Sequence, residues 1–326
     1  MESAEAQTAP PPQTARLTRT VPREYVHRAV VAEVFLTSWT ELEGERCAVS
    51  AQWPRGHSFF SPIDRSLYDP MLVAETIRQI GALIAHTSFR VPLGQKFLLR
   101  ELGYTVDLEQ LAIGAAPASL DIDVTCSDVQ CRKDRLTGLR YEAAIRHEGV
   151  VIGTGGAHFT CVSPAVYRRL RERRIRWSEP PRSALRMPVA PQRVGRQSPF
   201  DVVLAPSDTP HRWQLRVDPS HPILFDHPVD HIPGMALLEA ARQAVHALAP
   251  EGRSMVLSSV DSSFPRFAEF DRPCWIVAER DPRRQDDGRW RVTGHQEGDT
   301  VFSATVTGRP APFLRAPRPH EAASCA

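Results

Sequence analysis

HSFFSPIDRSLYDPMLVAETIRQ (residues 57–79) and HPILFDHPVDHIPGMALLEAARQ (residues 221–243) are one pattern written twice. His57, Met71, Glu75, Arg78 and Gln79 recur as His221, Met235, Glu239, Arg242 and Gln243. Every pair differs by 164 (221−57, 235−71, 239−75, 242−78, 243−79). Self-similarity at a fixed long separation marks a duplicated unit, and 164 residues is domain length, far beyond solenoid periods. The retained set is polar: a histidine, a glutamate, an arginine and an amide.

Working outward, MLVAETIRQIGALIAHTSF (71–89) and MALLEAARQAVHAL (235–248) carry apolar residues at helical spacing. Pro70 precedes the first helix, where proline suits the opening turn. Strands are expected on either side. AVVAEVFLTSW (29–39), CAVSAQW (47–53), KFLLRELGYTVDL, ASLDIDVTCSDV, LRYEAAIRHEG and VVIGTGGAHFTCV belong to the first unit. Residues 200–204 and 212–217, then MVLSSV, PCWIVAERD, RWRVTGHQ and VFSATVTG, belong to the second. Strands, one long helix, then more strands argue for an α+β unit, an antiparallel sheet packed on a central helix. Residues 21–166 form the first unit and 200–310 the second. Tyr167–Arg193 is basic and then proline-rich, and residues 167–199 read as a linker opening with a short helix. Residues 1–20 and 311–326 have tail composition and are expected to be disordered.

The chain has 326 residues, 42% hydrophobic and 24% charged, as in a globular protein of two domains. No apolar run approaches the ~20 residues that span a bilayer, and the N-terminus lacks a signal-peptide pattern, so a cytoplasmic location is expected. The six cysteines (Cys47, Cys126, Cys131, Cys161, Cys274, Cys325) form no CxxC pair and read as buried thiols. A net charge of +2 does not point to a nucleic-acid partner. Lys96 and Lys133 are the only lysines beside abundant arginine, alanine and 29 prolines, a bias of GC-rich coding.

On either helix Glu and Arg stand three positions apart, so Glu75 can touch Arg78 and Glu239 can touch Arg242. Apolar flanks imply semi-buried carboxylates, whose pKa burial raises and arginine lowers. Both histidines lie in loops leading to a helix N-terminus. The second loop holds His221, His227 and His231, but without the helical HxxxH context no metal is expected. Pro233-Gly234 opens the second helix with unpaired amides, which suit a thioester oxyanion or a phosphate.

The segment PGMALLEAARQ (233–243) resembles the PGxxxxEAxxQ stretch of hotdog-fold dehydratases. QWPRGHSFFSPI and YDPMLVAETIRQIGALIAHTSFRVP, with HPILFDHPVDHIPGMALLEAARQA, are similar to the two signature blocks of the A-factor biosynthesis (AfsA) family, γ-butyrolactone synthases of actinomycetes. The resemblance covers residues 21–310 and implies a tandem double-hotdog fold, each sheet wrapped around its helix. It implies transfer of a β-ketoacyl group from acyl-carrier protein or CoA to dihydroxyacetone phosphate. The ester then closes to a butenolide phosphate on the way to a signalling lactone. No cofactor is implied.

On these residues, Glu239 or Glu75 supplies a base, and Arg242 and Arg78 hold the phosphate. Gly234, Met235, Gln243 and Gln79 serve an oxyanion or orient it. Analogy with the dehydratases pairs the loop histidine of one unit with the helix glutamate of the other, His57 with Glu239 or His221 with Glu75. No serine or cysteine stands where an acyl-enzyme would need it, so direct transfer is expected. Both copies keep the set; Pro233-Gly234 favours the second as the better oxyanion cradle over Asp69-Pro70. Two rival readings keep the fold: a thioester hydrolase or dehydratase, which has no phosphate for the arginines, and a non-catalytic lactone-responsive regulator. A double hotdog is complete within one chain, so a monomer is as compatible as a homodimer.

Overall fold

Ala118, Leu120, Ile122, Val124 and Cys126 are buried, whereas Ser119, Asp121, Asp123 and Thr125 between them face solvent. A period of two puts one face of a strand on a core and the other in water. In the computed structural model, which describes residues 19–61, 66–172, 185–249, 255–281 and 288–310, that strand belongs to an antiparallel sheet. The tails 1–18 and 311–326, residues 173–184 of the expected linker, residues 62–65 of the first loop, and Cys325 lie outside the described residues.

The first unit contributes β1 (Leu36–Glu41), β2 (Arg46–Trp53), β3 (Lys96–Val106), β4 (Ala118–Arg132), β5 (Arg135–His147) and β6 (Val150–Val162). Helix α1 (Met71–Thr87) separates β2 from β3, and α2 (Pro164–Arg171) follows β6. The second unit contributes β7 (Leu204–Pro206), β8 (Arg212–Leu215), β9 (Met255–Ser263), β10 (Trp275–Arg280), β11 (Arg289–Gln296) and β12 (Asp299–Pro310), with α3 (Gly234–Ala247) between β8 and β9. The sheet runs β1-β2-β4-β5-β6-β3-β9-β12-β11-β10-β8-β7. Each half has the same order, and the halves meet where β3 pairs antiparallel with β9. This is a double hotdog: one long helix per unit lies in the concavity of its own half-sheet. Enclosure explains the helix sequences. All of α1 from Met71 to His86 except Arg78 is buried, and so is α3 from Met235 to His246. A helix with no solvent face must be apolar almost all round.

Three strand expectations differ from the structure. The stretch 29–39 is extended as β1 only from Leu36, after a 3-10 turn at Val31–Glu33. Residues 200–204 likewise contain a 3-10 turn at Pro199–Asp201, and β7 begins at Leu204. The cause is the same in both units. The Gln79 amide accepts from Phe35 N–H at 3.0 Å and donates to the Glu33 carbonyl at 2.7 Å. Gln243 does the same for Val203 N–H (3.0 Å) and the Asp201 carbonyl (2.8 Å). A helix side chain thereby takes the place of a neighbouring strand, which frees the backbone from extended pairing. The stretch 212–217 is also shorter, ending as β8 at Leu215. Cys47, Cys126, Cys161 and Cys274 are buried thiols; Cys131, beyond irregularities near the end of β4, is exposed. No helix among the described residues is long and apolar enough to cross a membrane.

Candidate active site

The polar set of each helix is a knot around a fully buried glutamate. Glu75 accepts from Arg78 Nε (2.9 Å) and Nη2 (2.7 Å), from Gln79 Nε2 (2.7 Å) and from Arg28 Nε (3.0 Å). Glu239 accepts from Arg242 Nε (2.9 Å) and Nη2 (2.8 Å), from Gln243 Nε2 (2.5 Å) and from Arg196 Nε (3.0 Å). Neither glutamate has any exposed surface. Burial pushes both carboxyls up, but the charges and hydrogen bonds of two arginines outweigh it and hold each at about 2. Each glutamine spends its amide on that carboxylate and on its own backbone pair, so neither directs a free N–H at a ligand.

Arg28 and Arg196 were not among the residues singled out from the repeat. They sit at a separation of 168 (196−28), four more than the helices, because the chain between β1 and the loop is longer in the first unit. Glu33 and Asp201 share that register (201−33), as do His27 and Gly195, both left-handed at the end of a 3-10 turn. Arg196 falls in the stretch 167–199 that composition assigns to the linker. Each of these arginines also reaches across the molecule. Arg28 Nη1 donates to the Ile223 carbonyl at 3.3 Å, and Arg196 Nη1 donates to the Phe59 carbonyl. Because 223−59 is again 164, each knot ties one unit's helix to the other unit's loop.

His57 and His221 also have matching places. His57 Nδ1 accepts from the amides of Phe59 and Phe60, with Nε2 3.3 Å from Glu33. His221 Nδ1 accepts from the amides of Ile223 and Leu224, with Nε2 3.3 Å from Asp201. Each histidine therefore shapes its own loop and pairs with a carboxylate of its own unit. The structure brings neither His57 to Glu239 nor His221 to Glu75.

The two halves part company where the helices meet the opposite loop. A cavity of about 330 Å³ lies between α1, β3 and β6 of the first unit and the loop 223–233 with the start of α3 of the second. Phe97, Leu98, Leu99, Phe159, Leu237 and Phe264 form apolar wall; Arg28, Arg78, Arg100, Asp226, His227 and His231 are among its polar lining. Arg100 stands at an irregularity where β3 slips against β6, between Leu99 and Glu101, the kind of bulge that re-aims a side chain. Arg78 keeps 22% side-chain exposure there. His27 lies on the wall with Nε2 2.8 Å from His86 Nε2. Burial and the neighbouring Arg78 charge push His27 down to about 3, so it is neutral.

The equivalent space beside Arg242 amounts to about 20 Å³, room for a single water. Its closure is written in side chains. Gly81 and Ala82 of α1 stand where α3 has Val245 and His246 (245−81, 246−82). His246 fills that space over Gly195, whose Cβ, if present, would fall 2.6 Å from the imidazole. Tyr104 and Met255 complete the plug. The helix starts differ in the same sense. Asp69 Oδ1 accepts from Met71 N–H at 2.9 Å, whereas α3 has no side-chain cap and lines the open cavity with Gly234 and Met235. The open cavity thus joins α1 and Arg78 to the second unit's Pro233-Gly234 helix start. Glu239 and Arg242 lie beside the closed space. No group of three or more His, Cys, Asp or Glu among the described residues is arranged to hold a metal ion.

Comparison with known proteins agrees with this architecture. The A-factor biosynthesis hotdog domain matches residues 9–163 and again 177–312. A 2-oxo-3-(phosphooxy)propyl 3-oxoalkanoate synthase of Streptomyces virginiae is 52% identical over 294 residues, spanning 90% of this chain and 99% of that one. The synthase of the same name from Streptomyces coelicolor is 41% identical over 290 residues, 88% and 91% of the two chains. Among solved structures, a Lactobacillus plantarum protein described as an oleoyl thioesterase superposes with a TM-score of 0.50 at 11% identity, covering 81% of this chain and 97% of that one. That last likeness concerns the fold alone.

Proposed function

The chain belongs to the A-factor biosynthesis hotdog family, and we propose that it acts as its synthase relatives are named, joining a 3-oxoacyl group to dihydroxyacetone phosphate as an ester. The chain is an acyltransferase acting on an acyl thioester. The acceptor hydroxyl attacks the thioester carbonyl, a C–O bond replaces the C–S bond, and a thiol leaves. The acidic methylene between the two carbonyls of the ester then adds to the ketone of the phosphooxypropyl group, and loss of water closes a butenolide phosphate. That product leads to a γ-butyrolactone-type signal.

The observation that carries this reading is a cavity built for both halves of such an ester. Apolar wall from Phe97, Leu99, Phe159 and Phe264 suits an acyl chain, while Arg78, Arg100 and Arg266 on the same cavity suit a phosphate. A hydrolase has no use for the second group. Arg78 is held in place by Glu75, which serves the phosphate site through the arginine. Gly234 and Met235, at the start of α3 on the cavity wall, are the residues whose helix-start amides suit the thioester oxyanion. The acyl donor is an acyl-carrier protein or CoA thioester. A single chain supplies both sides of the cavity, so a monomer suffices, and the reaction runs beside Arg78 rather than Arg242.

Mass spectrometry of wild type, Arg78→Met and Arg242→Met with a 3-oxoacyl thioester and dihydroxyacetone phosphate tests both parts. Wild type and Arg242→Met yield ester and butenolide phosphate; Arg78→Met requires at least about tenfold more acceptor, about 1.4 kcal/mol of binding. Free 3-oxo acid formed regardless of acceptor identifies a thioesterase. No turnover of any donor identifies a binding protein. Equal losses in the two variants overturn the choice of cavity.

A further inference from the structure

We propose that His231, aimed by Asp230, is the general base that takes the proton from the acceptor hydroxyl; the assignment rests on the acyl-transfer reading above. His231 lines the 330 Å³ cavity together with Arg78 and Gly234. Its Nδ1 sits 2.7 Å from Asp230 Oδ1. A carboxylate at Nδ1 fixes the tautomer with the proton on that nitrogen, and Nε2 becomes the basic atom.

Asp230 is itself immobilised. Tyr167 Oη donates to the same Oδ1 at 2.6 Å, Arg171 Nε reaches Oδ2 at 3.2 Å, and Arg171 Nη2 donates to the Asp230 carbonyl at 2.6 Å. Arg171 is 1% exposed, is clamped by Glu269 at 2.6 and 3.0 Å, and lies 4.5 Å over the Phe267 ring. The same ring meets the His231 imidazole edge to face at 4.8 Å. Burial raises the Asp230 carboxyl, but hydrogen bonds from His231 and Tyr167 and the Arg171 charge pull it well below the usual carboxylate range. Tyr167 and Arg171 both come from α2, so that helix, between the repeats, acts as a brace for the dyad.

The other candidates are occupied. Glu75 has its oxygens taken up by two arginines and a glutamine and has no exposed surface. His57 and His221 have both ring nitrogens engaged within their own units. His227 also lines the cavity, but it is nearly half exposed and its Asp226 contact is longer, at 3.3 Å. The repeat does not duplicate the dyad: Ser66 and Leu67 stand at the corresponding places of the first loop (230−164 and 231−164).

The step balances within the site. The hydroxyl proton passes to His231 Nε2 as its oxygen bonds to the thioester carbon. The C–S bond then breaks, and the imidazolium returns the proton to the leaving sulfur as thiol. Asp230 stays ionised throughout and is a positioning residue.

The test compares full-length wild type, His231→Gln, His231→Ala and Asp230→Asn, with a 3-oxoacyl pantetheine thioester and dihydroxyacetone phosphate. His231→Gln is expected to lower kcat roughly 100- to 10,000-fold, with KM for the donor and Tm nearly unchanged. Added imidazole is expected to restore part of the rate to His231→Ala, and Asp230→Asn to lower kcat without raising KM. A kcat for His231→Gln within about fivefold of wild type overturns the assignment. So does a loss that imidazole does not relieve and that comes with a raised KM. If wild type releases 3-oxo acid and no ester, the acyl-transfer reading fails; the base assignment is then decided by the same variants on hydrolysis. If wild type consumes no donor, both fail.

Discussion

Glu239→Gln separates a structural glutamate from a catalytic one. The carboxylate is fully buried and balances two guanidiniums, Arg196 with side-chain exposure of 4% and Arg242 with 10%. The amide keeps the shape but removes the charge, leaving two desolvated cations without an anion. Breaking a buried pair by removing one partner costs about 3–5 kcal/mol. Unfolding entropy of roughly 2 cal/mol/K per residue over 326 residues converts this to a Tm lowered by about 4–7 °C, if the two units melt together. The knot ties α3 to the Phe59 loop beside the closed space, away from the open cavity. Below its Tm, Glu239→Gln should therefore keep kcat within about tenfold of wild type. The assays are differential scanning calorimetry, and ester formation followed at 20 °C. A variant with wild-type Tm whose turnover falls by three orders of magnitude would refute the reasoning and return Glu239 to the chemistry.

Two more tests follow from the same geometry. Glu75 and Glu239 sit at about 2 in the folded state against 4.5 as the unperturbed value. A depressed folded pKa gives stability that is complete above the unfolded value and lost as pH falls through the folded one, here between about pH 4.5 and 2. Each carboxylate contributes about 3 kcal/mol, so acid unfolding should steepen across that window; each Glu→Gln variant should remove about one proton from the slope, and an unchanged slope refutes the account. Ala82→His copies into α1 the residue that α3 carries at the equivalent place. It should fill the cavity and lower kcat/KM for the donor at least about tenfold, about 1.4 kcal/mol in the transition state, while circular dichroism stays native. Unaltered turnover would place the substrate elsewhere.

Much of this architecture was legible in the sequence, for identifiable reasons. A 164-residue repeat with helical spacing around Glu75 and Glu239 could only be two copies of a helix-centred unit, and alternation in stretches such as ASLDIDV marked the strands. What stayed hidden depended on contacts between copies. Arg28 and Arg196 escaped because the register slips from 164 to 168 ahead of the loops. The segments at 29–35 and 200–203 look like strands by composition, and only the glutamine bonds to Phe35 and Val203 show why they are not. His231 was visible as one of a cluster, but without the fold nothing showed that Asp230 and α2 hold it or that Arg78 shares its cavity.

The difference between the copies says more about chemistry than their likeness does. His, Glu, Arg and Gln are retained twice, and both copies use them in the same mechanical frame. Glu75 and Glu239 hold Arg28 and Arg196, which reach the opposite unit's loop. Gln79 and Gln243 pin their own unit's backbone, and His57 and His221 shape the loops that are reached. That frame is symmetric because the joint between the units is symmetric. Catalysis needs space and unspent polar groups, and these are distributed unequally. Gly81 and Ala82 open one side where Val245 and His246 close the other. Asp69 caps α1 while the start of α3 is left uncapped toward the cavity. His227, Asp230 and His231 replace Ile63, Ser66 and Leu67 at the matched loop positions. A tandem fusion permits this division, because once both units lie in one chain each residue can change without its counterpart. One interface is then free to be packed solid, and the core contacts of Tyr104, His246 and Met255 stabilise the fold that holds the other open.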